Sequence, residues 1–325
     1  MRAQAKHILL LLLVTGFAKS YAQQTIQFSQ YVFNGLAVNP AYAGYKDDWT
    51  LNLSSRIQWV GINGAPKTNT ISIDGLTNGE SKKVGLGLWA STDQLGPQST
   101  SSVYANYAYR LQLDANDTKR LCFGVAAGLI QYSLDASKFN AIDVSDGLVP
   151  SGNQSQLTPD FRVGLYFYTP TVYIGASVLS LIPATTTPGS NAIIQQVRHY
   201  YITSGVMVPL SGFLDWKPSI MFKEDFNGPA NLDVNSFFLL KKVLWLGASY
   251  RTGVPYLNGK TISGLYKSDA IAAMFEFYAA DNLRIGYSYD FSTSPLAGNQ
   301  SGSHELSLSY SFKGRRPRIL NPRYF

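Results

Sequence analysis

Near the end of the chain, apolar and polar residues alternate one by one over a long stretch. Leu283, Ile285, Tyr287, Tyr289 and Phe291 form one series; Asn282, Arg284, Gly286, Ser288 and Asp290 form the other. After a Gly/Ser/Asn segment, Leu306, Leu308, Tyr310 and Phe312 alternate with Glu305, Ser307, Ser309 and Ser311. A period of two puts each series on its own face of a β-strand. The polar series is too charged for a sandwich core, whereas the apolar series is what a lipid-facing wall needs. The pattern predicts an all-β fold, a transmembrane antiparallel β-barrel.

The alternation recurs upstream. Trp49, Leu51, Leu53, Ile57 and Trp59 share one face of the first strand, with Asn52, Arg56 and Gln58 on the other. Trp49 and Trp59 have the same parity. Their separation along a tilted strand is roughly 23 Å, close to the ~25 Å apolar band with an aromatic residue at each rim. Further strands are expected near Lys67–Asp74, Lys82–Thr92, Ser101–Leu113, Arg120–Tyr132, Asp160–Tyr168, Thr171–Ser180 and Arg198–Pro209. The rest follow near Phe213–Phe226, Ala230–Leu240, Val243–Thr252, Ser268–Tyr278, Asn282–Phe291 and Ser303–Lys313. The total is about fourteen, an even number as in single-chain bacterial barrels.

The connections sort into two kinds. Gly61–Pro66, Asp93–Thr100, Ser133–Pro159, Leu181–Val197, Gly253–Lys267 and Ser292–Gly302 are long or rich in Gly and Pro, with Asn227–Pro229 the brief member of that series. Gly75–Ser81, Asp114–Lys119, Thr169–Pro170, Leu210–Gly212, Lys241–Lys242 and Ala279–Asp281 are short. Outer-membrane barrels have long extracellular loops and short periplasmic turns, a register that puts both termini in the periplasm.

The polar faces predict the lumen. Arg56, Arg110, Arg162, Lys223, Arg251 and Arg284 are expected to point inward with Asp233, Asp290 and Glu305, forming a charge network. Both signs are present, which fits a plugged or narrow interior better than a selective pore. The segment Gln23–Asp47 shows no period and carries the turn signals Asn39-Pro40 and Ala43-Gly44. It is expected to be mostly irregular and packed on or inside the barrel mouth.

Composition agrees with many short strands: Tyr (21) and Phe (17) are abundant and charged residues are 14%. Residues 1–22 read as a signal peptide, with Arg2 and Lys6, an apolar core from Ile8 to Val14, and Ser20-Tyr21-Ala22 as a cleavage site. Residues 23–325 are then one outer-membrane barrel domain. The net charge of +7 is misleading, because the signal carries Arg2, Lys6 and Lys19 without an acid. The tail after Phe312 carries Lys313, Arg315, Arg316, Arg318 and Arg323, also without an acid, so the body between is close to neutral. That argues against a nucleic-acid partner.

Nothing points to catalysis or a cofactor. His199 and His304 are isolated, and Gly85-Leu86-Gly87 lacks the third glycine of a dinucleotide loop. No nucleophile elbow or P-loop is present. Asp143 and Asp146-Gly147 fall short of an EF-hand, and the single Cys122 excludes a cysteine-built metal site.

An ordered set of motifs resembles a known family. It begins with Phe28-Ser29-Gln30-Tyr31, Asn39-Pro40-Ala41-Tyr42-Ala43-Gly44, Arg56-Ile57-Gln58-Trp59 and Gly64-Ala65-Pro66-Lys67-Thr68. Gly85-Leu86-Gly87, Gly96-Pro97, Tyr107-Ala108-Tyr109-Arg110, Arg198-His199-Tyr200-Tyr201, Lys217-Pro218-Ser219 and Ser249-Tyr250-Arg251 follow. It closes with Gly286-Tyr287-Ser288-Tyr289-Asp290, Gly302-Ser303-His304-Glu305 and Asn321-Pro322-Arg323-Tyr324-Phe325. Over nearly the whole mature chain the sequence resembles the PorP/SprF family of the type IX secretion system. The resemblance implies a non-enzymatic outer-membrane protein of Gram-negative, type IX-secreting and gliding bacteria. Such a protein assists export or surface attachment of cargo, such as adhesins with a C-terminal secretion-signal domain, and engages periplasmic secretion components. A passive porin or nutrient channel is one competing reading; a barrel enzyme of the outer membrane, such as a lipase or protease, is the other, against which the lack of a Ser/His/Asp constellation argues. Asn39, Pro40 and Tyr42, and Arg323, Tyr324 and Phe325 in the basic tail 314–325, are the candidate partner-docking residues, Arg and Tyr being frequent hot-spot types.

Overall fold

The computed structural model describes residues 26–78, 80–138, 152–182, 196–254 and 268–312. Fifteen strand segments form one antiparallel sheet in sequence order: β1 (Trp49–Ile57), β2 (Lys67–Leu76), β3 (Val84–Leu95), β4 (Gln98–Gln112), β5 (Arg120–Asp135), β6 (Asn153–Tyr168), β7 (Val172–Leu179) and β8 (His199–Val206). The others are β9 (Val208–Ser211), β10 (Leu214–Glu224), β11 (Ala230–Leu240), β12 (Leu244–Val254), β13 (Ser268–Ala280), β14 (Leu283–Ser292) and β15 (Ser303–Phe312). β1 pairs with β15 and β10 with β11, so the sheet closes on itself. β8 and β9 both pair with β10, in one register from Glu224 back to Asp215 with a shift between Asp215 and Leu214, and form a single stave, which makes a closed fourteen-stave barrel. The break between them, at Met207, lies opposite Lys217-Pro218. Pro218 has no N–H to give the ladder at that point.

Alternation decides which face is which. In β14, Arg284, Gly286, Ser288 and Asp290 are buried inward, while Leu283, Ile285, Tyr287 and Phe291 face out. Leu306, Leu308, Tyr310 and Phe312 of β15 are exposed on the outside. At the closing seam Arg56 stands directly across from Glu305.

Some expected boundaries are corrected. The Asp93–Thr100 loop is a tight hairpin around Gly96-Pro97, with Gly96 in the left-handed region (φ +56). Both strands continue into it with polar residues on both faces, a composition that masked them as loop. The Ser133–Pro159 connection narrows likewise, because β5 runs to Asp135 and β6 starts at Asn153. Pro159 is tolerated in β6 because pairing with β7 starts only at Val163, leaving that edge free. Trp59 lies beyond the end of β1 with a left-handed backbone (φ +46), so the two tryptophans do not share one strand. Trp49 begins β1 and lays its ring over Gly75 on the outer wall.

The interior is filled. Residues 28–45 run through the lumen as a plug of three short 3₁₀ turns, Tyr31–Phe33, Gly35–Ala37 and Pro40–Tyr42. The third starts on the Asn39 side chain, which accepts from the Ala41 amide at 2.9 Å. The plug touches β1, β2, β3, β5, β6, β11, β12, β14 and β15, and only a segment inside the ring can meet that set. Its start, Ile26, lies at the mouth of the long connections, among Leu95, Gln98 and Val197. Its end, Gly44, lies at the opposite mouth beside Gly75 and Gly85. Phe312 pairs with Trp49 at that second mouth. The described residues therefore begin and end at opposite mouths; the termini, expected on one side, lie outside the described residues. Residues 313–325, with Arg323, Tyr324 and Phe325, lie outside the described residues.

Candidate functional site

The lumen and its plug hold the buried chemistry of the molecule. All nine residues expected inside are buried there, but as separate clusters rather than one network. At the loop-side end, Arg56 donates from Nη2 to Asp290 at 2.6 Å and from Nη1 to Glu305 at 3.2 Å. The plug completes this clamp: the Ser29 amide donates to Glu305 at 2.8 Å and its hydroxyl to Asp290 at 2.6 Å. Gln30 donates from its side chain to the Glu305 carbonyl at 2.9 Å and accepts from Ser307 at 2.6 Å. Arg251 extends the chain of charges, 2.9 Å from Asp233 and 3.9 Å from Asp290, and Lys223 lies beside it.

The remaining expected residues take partners that were not foreseen. Arg284 pairs with Glu276 at 3.1 Å, Arg110 with Asp47, two residues past the plug, at 3.0 Å, and Arg162 approaches Asp160 at 4.0 Å. Glu276 and Asp160 share the parity of known inward positions and were findable by that rule. Asp47 was not, because the segment holding it has no period. Arg162 also lies over the Tyr104 ring at 3.4 Å and the Trp89 ring at 4.9 Å, while Tyr104 donates to Asp160 at 2.6 Å.

The turn-side end of the plug is ionic and wetter. Lys82 bridges Asp47 at 3.2 Å and Asp117 at 3.6 Å, and Arg120 grips Asp117 at 2.5 Å. Arg110 also donates to the Tyr168 hydroxyl at 2.6 Å. In the neighbouring turn, the Thr118 hydroxyl and backbone amides hold the Asp114 carboxyl below its usual range.

Between the clamps the contact is aromatic. Phe33 meets Phe237 and Trp245 edge-on at 5.2 and 6.1 Å. Tyr42 and Tyr45 pack among Tyr166 and Tyr168, and Tyr166 stacks on Tyr173. The plug backbone comes so close to the wall at Gly85 and Gly124 that a Cβ there would collide with Ala43 and Ala41. Asn39 donates to the Leu165 carbonyl at 2.9 Å, and Pro40 and Tyr42 are equally enclosed. These three expected docking residues face the barrel's own wall in this arrangement, which leaves them no outward surface.

Beside the plug the loop-side mouth keeps a cavity of about 190 Å³, floored by Ile26, Phe28 and Val38 and walled by Trp89, Tyr132 and Tyr201. Among the described residues, no cluster of His, Cys, Asp and Glu is arranged to hold a metal ion.

Comparison with known proteins gives a family and a shape. A family model described as type IX secretion system membrane protein PorP/SprF matches residues 20–310. No curated protein matches the chain. A FadL homologue of Pseudomonas aeruginosa is 12% identical, with 87% of this chain and 94% of that one covered at a TM-score of 0.49. The Acinetobacter baumannii outer membrane protein Omp33 is 7% identical, with coverage of 82% and 100% and a TM-score of 0.46. The CymD monoaromatic hydrocarbon channel is 12% identical, with coverage of 87% and 94% and a TM-score of 0.49.

Proposed function

Because the chain belongs to the PorP/SprF family of type IX secretion system membrane proteins, we propose that it assists the export or surface attachment of specific cargo, such as adhesins with a C-terminal secretion-signal domain. In this reading it is an exported outer-membrane protein, without enzymatic activity, that works with periplasmic components of the secretion or gliding machinery. The observation that carries it against the porin alternative is the filled lumen. A diffusion channel needs a continuous hydrated path, and here residues 28–45 pack against staves all round the ring.

The orientation that follows puts the long connections outside the cell and the turn at Lys241-Lys242 in the periplasm. The tail residues Arg323, Tyr324 and Phe325 are the proposed contact with the machinery. Two experiments test the reading. The purified barrel in a planar bilayer is expected to show no steady conductance; a stable open pore would favour the porin. Deleting Asn321–Phe325 is expected to leave barrel abundance normal and remove cargo from the cell surface. Unchanged surface cargo would reject the tail as the contact.

A further inference from the structure

On the outer wall at the loop-side rim, Ile57, Lys67 and Gln94 stand in one cross-strand row. All three face outward and are exposed. Residues 58–65 form a roof over this row, fixed at both ends. At one end the Val60 amide donates to the Gly302 carbonyl at 2.9 Å, and the Val60 carbonyl accepts from the Ser301 amide at 2.7 Å. At the other end the Gly64 carbonyl accepts from the Gly96 amide at 2.8 Å. A groove of about 950 Å³ lies between roof and wall.

The lining of the groove combines three kinds of group. Lys67 and Lys138 are its charges, and no carboxylate lines it among the described residues. Lys138 lies 3.5 Å from Asp135, outside the lining, whereas Lys67 has no ion-pair partner among the described residues. The groove therefore carries an excess of positive charge. Gln58, Asn63 and Gln94 add amides, which both donate to and accept from hydroxyls. Trp59 and Ile62 add apolar surface. Four residues down the staves, Leu53 and Ile71 pair across the outer wall and are exposed. That step is about 13 Å along a strand, or roughly 9 Å of height at a tilt of about 45°. Lys67 then stands where acyl chains give way to headgroups, a level suited to a cation on an apolar stem. Between the two levels the Ser55 hydroxyl donates to Asn69 at 2.8 Å, so the wall turns polar there.

A phosphate takes charge-assisted hydrogen bonds from ammonium groups. Sugar hydroxyls match the amides, and acyl chains match the apolar wall below. A simple phospholipid would leave the three amides unused. We propose that this groove binds the phosphorylated sugar headgroup of an outer-leaflet glycolipid, with Lys67 and Lys138 on the phosphate and the acyl chains on Leu53 and Ile71. The proposal rests on the orientation given above, with the long connections outside the cell. The bound lipid joins roof to wall and so braces the first loop.

The test uses the full-length barrel in nanodiscs, with bis-phosphorylated lipid A as the probe and native mass spectrometry as the readout. One lipid A is expected to stay on the unaltered protein at energies that strip the other lipids. Lys67→Gln combined with Lys138→Gln is expected to lower this occupancy several-fold, and removing the phosphates from lipid A is expected to do the same. Lys241→Gln combined with Lys242→Gln, at the other mouth, is expected to leave it unchanged, and phosphatidylglycerol is expected not to compete. Full occupancy in the Lys67 and Lys138 variant, equal binding of the dephosphorylated lipid, an equal loss in the Lys241 and Lys242 variant, or competition by phosphatidylglycerol would each overturn the site. Orientation is read separately, by labelling Asn63→Cys on whole cells with an impermeant thiol reagent; the natural Cys122 is buried. Labelling is expected. Its absence, with binding intact in nanodiscs, would reject the orientation and with it the glycolipid as occupant in the cell.

Discussion

A cluster of ion pairs stands at each end of the plug, and the two ends are not alike. At the loop side the participants are sealed: Arg56, Asp290 and Glu305 are 2%, 3% and 1% exposed. At the turn side Asp47 and Lys82 are both 21% exposed, although Arg110 behind them is fully buried. The same chemistry has different weight in the two places. Removing one partner of a sealed pair strands a charge that water cannot reach, whereas water and salt can replace a partner at the open end. The loop-side clamp therefore fixes the plug, and the turn-side clamp adjusts it.

Substitutions can break this contrast, and their expected effects fall in a clear order. Arg56→Leu takes the guanidinium from buried Glu305 and leaves Asp290 only the more distant Arg251, and it is expected to cost roughly 3–5 kcal/mol. Its readout is the temperature at which the folded, fast-migrating band on a gel converts to the unfolded one. An unchanged temperature would mean that the loop side is as wet as the turn side. Gly124→Val drives a side chain into the plug backbone at Ala41 and is expected to cost about 1–3 kcal/mol. It also acts between the clamps, so limited proteolysis is expected to cut within 28–45 while the barrel stays intact. Asp47→Asn leaves Arg110 its Tyr168 hydroxyl and is expected to cost about 1–2 kcal/mol by the same thermal assay. Lys82→Ala is expected to cost less than about 1 kcal/mol. For Lys82→Ala the loss should shrink further in molar salt, as it should not for Arg56→Leu. Equal salt responses would remove the distinction between the ends.

Much of this could be read in the sequence, and the limits have physical causes. Strands such as β14 and β15 are legible because lipid on one face and a polar interior on the other enforce strict alternation. Arg56, Asp290 and Glu305 followed from parity alone. The irregular segment before β1 was expected on or inside the mouth, but its inner contacts did not follow, since 3₁₀ turns impose no period; that hid Asp47 and the enclosure of Asn39, Pro40 and Tyr42. Trp245 and Phe237 were hidden for a related reason: they point inward against Phe33, in strands whose outer face is also apolar. Without the plug's residue-by-residue path, parity does not predict an aromatic interior. The hairpin at Gly96-Pro97 carries no strand signal because both of its faces are largely polar.

The pair Arg56 and Glu305 sits on the first and last staves, directly opposite each other across the seam where the sheet becomes a ring. A slip of one residue in that final pairing would swing Glu305 to the lipid side and leave Arg56 and Ser29 facing Leu306 or His304. Only the correct register lets the carboxylate meet both the guanidinium and the Ser29 amide. The barrel thus checks its own closure, and a segment that precedes the first described stave tests the register of the last.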